Sequence, residues 1–498
     1  MGYVTRLCGG TLDFFRIAQK DVARNKQLMY GLAAKGHNVT ALTIDVDKNA
    51  PKNVHFIQLK GIHDTNRNDW MNEGKRLSPF QTLYNEAKLS VKSCEMIYET
   101  NGFARLLNYP DDFRFDLIIN TNTVGPCVAA VAQHKFKLSP LMTVTASSSL
   151  TSTSFSTIPN QHFDSTEDMC FLKRAKNFLY NTWEYFLEQW YVLPAMDKLA
   201  RKIFPDIQSV GELSQLVRIR LINANAAIQY PEAASPDVIP VGGLHIQKSE
   251  SLSKELQKVL DDAPNGVIFC SLGSDVNSET LSDVQVNAVL NAIKQLSQYH
   301  FLWQFELKTL PDDVPKNVRI QPRFPQNDLL AHPHMKLFIA ESSVLNSQDA
   351  IWYGVPMIGI PLAVTQYRNI NYGVKQGVAK RLSFADIEAG LLKSAIEEVM
   401  TNVSFLENTQ LMSKTFHDQP DNPLDRAIWW IEWVVRNPHV DRYWRSTGSA
   451  AMCWITRNGY DVLLVVFATI AISMHILTGL IYRVFFKKQS KKVKTKRE

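Results

Sequence analysis

The sequence predicts an α/β fold of two doubly wound, Rossmann-like lobes plus one C-terminal transmembrane helix, on three observations. Short apolar strands alternate with amphipathic helices, and the alternation runs through the chain twice. The strands, such as "FDLIIN" and "MKLFIA", are apolar on both faces, as strands covered by helices on both sides of a parallel sheet are. Near the end, Val462 to Tyr482 contains no Asp, Glu, Lys or Arg. As a helix it would be about 31 Å long, the thickness of a bilayer's hydrocarbon core.

The elements follow in order. "MGYVTRLCGGTLDFFRIAQKD" has no apolar run of the length a secretory signal needs, and Arg6 breaks the myristoylation pattern. Either membrane insertion relies on the C-terminal span alone or the first part of the gene is missing. Asp21 to Ala34 reads as an amphipathic helix with Leu28, Met29, Leu32 and Ala33 on one side, ended by Gly36. "NVTALTID", "FDLIIN" and "LMTVTA" are strands, and Phe171 to Tyr191 is an aromatic-rich helical stretch. At "VIPVGGLHI" a strand end meets two glycines and then a polar helix, which places a lobe boundary there. As a linker it should be cut first by proteases, near Gly242 or Gly243.

In the second series "GVIFCSLGS" is a strand ending in a Gly-Ser turn, Val284 to Gln298 a helix and "HFLWQF" a strand. "MKLFIA", the helix after it, "VPMIGIPL" and a helix after Ile370 complete the alternation. The organisation is then 1–240 for the N-terminal lobe, 241–445 for the C-terminal lobe and a return helix, 446–461 juxtamembrane, 462–482 transmembrane and 483–498 a basic tail.

The net charge of +6 is a property of that tail: Lys487 to Glu498 holds seven basic residues and one acidic. The remaining body is near neutral, which excludes nucleic acid as a partner. Positive charge beyond the span puts the tail in the cytosol and the body on the lumenal side. Sequons stand at Asn38 and Asn402. The six cysteines (Cys8, Cys94, Cys127, Cys170, Cys270, Cys453) form no metal-binding spacing and are expected to be buried free thiols, so no metal site is predicted.

"FIAESSVLNSQDAIWYGVP" is a buried strand, a turn and a helix stopping at Gly354, with Ser342 or Ser343 as N-cap. The unpaired N–H groups of such a helix start suit a phosphate, yet the turn carries its own anion, Glu341.

In these segments the chain resembles the membrane-bound UDP-glycosyltransferases of the animal detoxification family, which includes the UDP-glucuronosyltransferases. The likeness is strongest in "FPQNDLLAHPHMKLFIAESSVLNSQDAIWYGVPMIGIPL", supported by "GHNVT", "FDLII", "IPVGGLHI" and "FCSLGS". It implies a GT-B architecture, with a small lipophilic acceptor in the N-terminal lobe and a UDP-sugar, as co-substrate rather than cofactor, in the C-terminal lobe. It also implies residence in the endoplasmic reticulum membrane, with Lys494 and Lys496 resembling a retrieval signal, and homo- or hetero-oligomers with related transferases. Inverting transfer needs a base on the acceptor hydroxyl and stabilisation of the leaving diphosphate.

Residue by residue, the match is uneven. Asp21 stands at the position of the family's catalytic histidine. Thr121 and Asn122 stand where the acid that orients that histidine would be, and Asp116 is read as structural. For the UDP-sugar, Gly273 and Ser274 are the phosphate turn, Arg323 replaces the uracil-stacking tryptophan and Gln326 is kept. Glu341 replaces a histidine, and Ser342 and Ser343 replace two glycines. Asn346 stands for the phosphate-binding serine, Asp349 for the ribose-binding glutamate, and Thr365 and Gln366 for a sugar-binding Asp-Gln pair. A carboxylate about 4 Å from a diphosphate charge costs about 4 kcal/mol at an effective dielectric near 20, roughly a thousandfold in affinity. These substitutions leave two readings: hexosyl transfer from a UDP-sugar to small lipophilic acceptors, or a catalytically silent member that binds ligand or pairs with active relatives in the membrane.

Overall fold

The computed structural model describes residues 11–15, 22–44, 46–61, 78–121, 126–137, 141–145, 158–160, 162–166, 168–215, 217–230, 235–273, 281–306, 313–362, 366–388, 390–437, 456 and 460–494. Met1–Pro438 form one compact unit and His439–Glu498 a second.

The first unit holds two all-parallel sheets. In the N-terminal sheet the seven strands run in the order β3-β2-β1-β4-β5-β6-β7. They are β1 (Thr11–Phe15), β2 (Asn38–Thr43), β3 (Val54–Gln58), β4 (Leu117–Thr121), β5 (Leu141–Thr145), β6 (Val217–Ile222) and β7 (Val238–Pro240). β1 was not expected: its five residues lie in the irregular-looking start, yet they pair with both β2 and β4 at the centre of the sheet. The helices are α1 (Val22–Ala34), α2 (Pro79–Tyr98), α3 (Asn101–Leu107), α4 (Cys127–Phe136), α5 (Phe171–Leu187), α6 (Leu193–Ile203) and α7 (Val210–Gln215). Leu28, Met29, Leu32 and Ala33 of α1 are buried, as the periodicity requires. α5 passes into α6 through a π turn, Glu188–Val192. Pro194 lacks the N–H that would bond back to residue 190, and the ladder widens by one residue just before it.

Six strands form the C-terminal sheet in the order β10-β9-β8-β11-β12-β13. They are β8 (Val267–Ser271), β9 (His300–Gln304), β10 (Val318–Gln321), β11 (Met335–Ala340), β12 (Met357–Gly359) and β13 (Ala379–Arg381). Its helices are α8 (Lys254–Asp261), α9 (Asp283–Gln295), α10 (Gln326–Leu330), α11 (Val344–Trp352), α12 (Tyr367–Lys375), α13 (Phe384–Glu388), α14 (Leu392–Thr401) and α15 (Val403–His417). α12 starts at Tyr367, before the Ile370 expected from the sequence. Central strands are buried throughout, with Phe269 and Phe338 stacked at 5.3 Å on one face and Trp303 and Phe305 at 4.9 Å on the other. α16 (Pro423–Arg436) then returns to α1, where Gly31 provides the space for Ile428 and Glu432 meets His37 at 3.2 Å.

Two expectations are corrected. The Gly242–Gly243 segment is no accessible linker, since Val241 to His245 are all buried. Gly242 N–H bonds to the Ala224 carbonyl at 2.9 Å, and a Cβ at Gly242 would lie 2.6 Å from that oxygen. A protease cannot take up backbone held this way. Nor are all the cysteines free: Cys94 of α2 and Cys127 at the start of α4 form a disulfide inside the N-terminal core. Cys270 is free and buried as expected, Cys170 is free but exposed, at the start of α5, and Cys8 and Cys453 lie outside the described residues.

In the second unit α17 (Tyr460–Lys494) contains the expected span. Tyr460–Arg483, 24 residues of mean hydropathy 2.2, is long and apolar enough to cross a membrane.

Candidate functional site

In an open parallel sheet the ligand crevice opens at the carboxyl ends of the strands where the strand order reverses. For the C-terminal sheet that point lies between β8 and β11, and the next residues along are Gly273 and Glu341. Glu341 is 5% exposed, so its charge is withheld from solvent. Gly273 has φ +89, and a Cβ there would stand 3.2 Å from the Glu341 carboxyl carbon. The side chain therefore lies across the crevice against the turn after β8. Glu341 Oε2 accepts from Gln366 Nε2 at 2.9 Å, while Gln366 Oε1 accepts from the Leu362 N–H at 2.7 Å. The carboxylate has a fixed donor and a fixed place.

α11 begins beside it. Ser343, not Ser342, is the N-cap, accepting from the Asn346 N–H at 3.4 Å. Ser342 is turned inward, fully buried, with its hydroxyl unpartnered. Asn346 Nδ2 reaches back to the Glu341 carbonyl at 3.4 Å, and its Oδ1 accepts from Gln326 Nε2 at 3.0 Å. Gln326, the first residue of α10, also donates to Asp349 Oδ2 at 2.7 Å. Asp349 is 4% exposed, and its other oxygen, Oδ1, lies 3.0 Å from His245 Nε2.

Five of the residues predicted from sequence thus form one hydrogen-bonded chain, Asp349–Gln326–Asn346–Glu341–Gln366, the Asn346–Glu341 link being made to the Glu341 backbone carbonyl, with Ser343 capping the helix between. Arg323 is exposed on the turn after β10, free of the core, while Phe324 beside it packs edge-on against Phe269. A planar cation in that setting can stack on a flat base. His245 was missed. The motif "VIPVGGLHI" was read for its glycines, but the turn they make carries the imidazole to Asp349, and its Nδ1 is buried without a partner.

Several predicted residues fall outside the described residues: Asp21, Ser274, Asn122 and Thr365. Thr121 ends β4 at the corresponding carboxyl edge of the N-terminal sheet. Asp116 is exposed at the opposite end of β4, about 17 Å away at 3.3 Å per residue, which fits a structural role.

A second polar cluster follows β5. His162 is buried, with Nε2 3.0 Å from Glu86 Oε2 and Nδ1 2.9 Å from Asn160 Oδ1. Burial pulls its pKa down, but the hydrogen bond to Glu86 and the charges of Glu86 and Glu184 outweigh it and hold the imidazole above its ordinary value. Burial also raises the Glu184 carboxyl.

Comparison with known proteins gives the family and the fold. The family model described as "UDP-glucoronosyl and UDP-glucosyl transferase" matches residues 21–496. UDP-glucosyltransferase 2 of Dactylopius coccus is 31% identical over 491 residues, covering 94% of this chain and 92% of that protein. Human UDP-glucuronosyltransferase 2B7 is 27% identical over 475 residues, 93% of this chain and 88% of its own. Among solved structures, the calicheamicin glycosyltransferase CalG4 superposes with a TM-score of 0.58 at 15% identity, over 87% of this chain and all (100%) of that one. A UDP-glucosyltransferase from Polygonum tinctorium, complexed with 3,4-dichloroaniline, gives 0.57 at 16% identity, over 86% and 99%. These neighbours establish the two-sheet arrangement as the GT-B glycosyltransferase fold.

Proposed function

This chain belongs to the UDP-glucuronosyl and UDP-glucosyl transferase family, and from that premise we propose that it binds a UDP-sugar at the carboxyl ends of β8 and β11 and transfers the hexosyl group to small lipophilic acceptors. The observation that carries the proposal is the connected set Gln326, Asn346, Asp349 and Gln366 around the N-terminus of α11, at the point where strand order reverses. Asn346 and the free N–H groups of the helix start face the phosphates, Asp349 the ribose, Gln366 the sugar and Arg323 the base. Asp349 exchanges its bond to Gln326 for one to a ribose hydroxyl, while His245 keeps it oriented.

Burial of Glu341 favours a second reading. A fixed carboxylate in the phosphate crevice opposes a diphosphate, and two helix-start N–H groups at ~1 kcal/mol each do not offset it. On that reading the protein binds ligand, or pairs with active relatives in the membrane, without turnover. Calorimetry of the detergent-solubilised full chain with UDP-glucose separates the two. Micromolar binding supports transfer; absence of binding at millimolar donor supports the silent reading.

The same proposal places the body in the lumen of the endoplasmic reticulum and the basic tail in the cytosol. The Cys94–Cys127 disulfide supports an oxidising compartment for the body, and Asn402, exposed at the start of α15, is accessible for glycosylation. The expected outcome is a glycosidase-sensitive gel shift that Asn402→Gln abolishes, with a C-terminal tag cleaved by protease in intact microsomes. A protected tag would reverse the orientation. Replacing Lys494 and Lys496 by Ser should release the protein toward the cell surface.

A further inference from the structure

The segment between β5 and α5 touches both lobes. Its first part is bound within the N-terminal lobe. The Asn160 N–H donates to Asn177 Oδ1 at 2.8 Å, and Asn177 Nδ2 donates to the Ile158 carbonyl at 2.8 Å. The Phe163 N–H bonds back to the Asn160 carbonyl at 3.1 Å, closing a turn with His162 at its third position. Phe163 itself is buried against the Tyr180 ring at 4.8 Å. The very next residue reaches the C-terminal lobe. Asp164 accepts from both terminal nitrogens of Arg381 on β13 and from the Asn371 amide of α12, and Asp168 meets Lys375.

His162 ties this turn down from two sides. Its Nδ1 and its backbone N–H each lie 2.9 Å from Asn160 Oδ1, and its Nε2 lies 3.0 Å from Glu86 Oε2 of α2. With a proton on each ring nitrogen, both side-chain contacts are donated. A neutral ring has a single N–H, so a lone pair must face either the Asn160 oxygen or the Glu86 carboxylate. Either way the turn loses one of the two anchors that the ring provides. The titratable groups around the ring are Glu86 of α2 and Glu184 and Tyr180 of α5, and the two carboxylates favour the imidazolium.

We propose that His162 is a proton-controlled latch between the lobes: its imidazolium fixes the turn that presents Asp164 to Arg381, and loss of the proton releases that contact. The Asp164–Arg381 pair does not itself sense pH near neutrality. The Arg381 guanidinium holds the Asp164 carboxyl below its usual range, and Asp164 in turn holds Arg381 above its own. A lobe contact that changes around neutral pH must take its signal from another group, and His162 stands two residues away in the same turn. The contact is made at low pH and lost as pH rises through the folded-state value of the imidazole. Donor binding plays no part in it.

Single-molecule energy transfer between one dye on each lobe, on the full chain in nanodiscs without nucleotide, reads the contact. The wild-type protein should show an open fraction several-fold larger at pH about 8.5 than at about 6. His162→Gln should show the same open fraction at both. Asp164→Asn should be open at both, since the contact is gone whatever the state of the ring. Glu86→Gln removes a charge that favours the imidazolium, so its transition should move to lower pH. Glu86 is half-exposed, and this change leaves the core intact. A wild-type open fraction equal at the two pH values overturns the proposal. So does a Glu86→Gln transition at the wild-type pH, or a wild-type pH response in His162→Gln. The wild-type and Glu86→Gln profiles decide the matter even where His162→Gln fails to fold.

Discussion

His162 has an acceptor at each ring nitrogen, Glu86 on one side and Asn160 Oδ1 on the other. The Asn160 oxygen is fixed, because its Nδ2 donates to Asn181 Oδ1 at 2.6 Å and Glu184 Oε2 at 3.0 Å. Two acceptors call for two N–H groups, which only the imidazolium supplies, in agreement with its raised pKa. A folded-state pKa above the unfolded ~6.5 contributes stability that is fully present below that pH and is lost as pH rises through the folded value. Thermal midpoints of the wild-type protein should therefore fall faster than those of His162→Gln as pH rises from about 6 to 9. Parallel profiles would mean that the ring is neutral in the folded protein.

The disulfide is the clearest effect at the scale of elements, because it ties the end of α2 to the first residue of α4 across 33 residues of chain. Loop closure of that length is worth about 3–4 kcal/mol in the chain-entropy description. The Cys94→Ser, Cys127→Ser double variant should lose about that much in denaturant unfolding, and alkylation of the unfolded, unreduced wild-type chain should leave both cysteines unmodified. Labelling of either one would show that the bond does not form. Nothing in the sequence announced the pair: spacing reveals adjacent metal ligands, whereas these two meet only because α2 and α4 cover the same face of the sheet. Strands such as β4 and β11 were legible, since apolar runs bounded by polar turns admit few other readings. β1 was not, because a short strand beginning after "CGG" and carrying Asp13 has no clear period. In the donor site the sequence order yielded Gln326, Glu341, Asn346, Asp349 and Gln366. His245 escaped because its partner stands 104 residues away, and only tertiary folding joins them.

Taken whole, the first unit is held across its two sheets by charged side chains. Asp164, on the segment after β5, accepts from both Arg381 Nη1 and Nη2, at 2.6 and 2.9 Å, and from Asn371 at 2.8 Å. Lys375 meets Asp168 at 2.8 Å. Such half-exposed pairs are worth about 1 kcal/mol or less each and are screened by salt. Breaking them should loosen the contact between the two sheets more than it unfolds the protein. Single-molecule energy transfer between dyes on the two sheets should show a larger open fraction in Asp164→Asn and in high salt; identical distributions would remove the clasp. Glu341 is proposed to occupy the place of a phosphate, and the UDP affinity of the full chain before and after Glu341→His tests this most directly. Exchanging a buried carboxylate for a donor removes the repulsion and adds a hydrogen bond, so UDP should bind tens-fold more tightly or better. Equal affinity in the two proteins would show that Glu341 does not face the phosphates, and would contradict the claim.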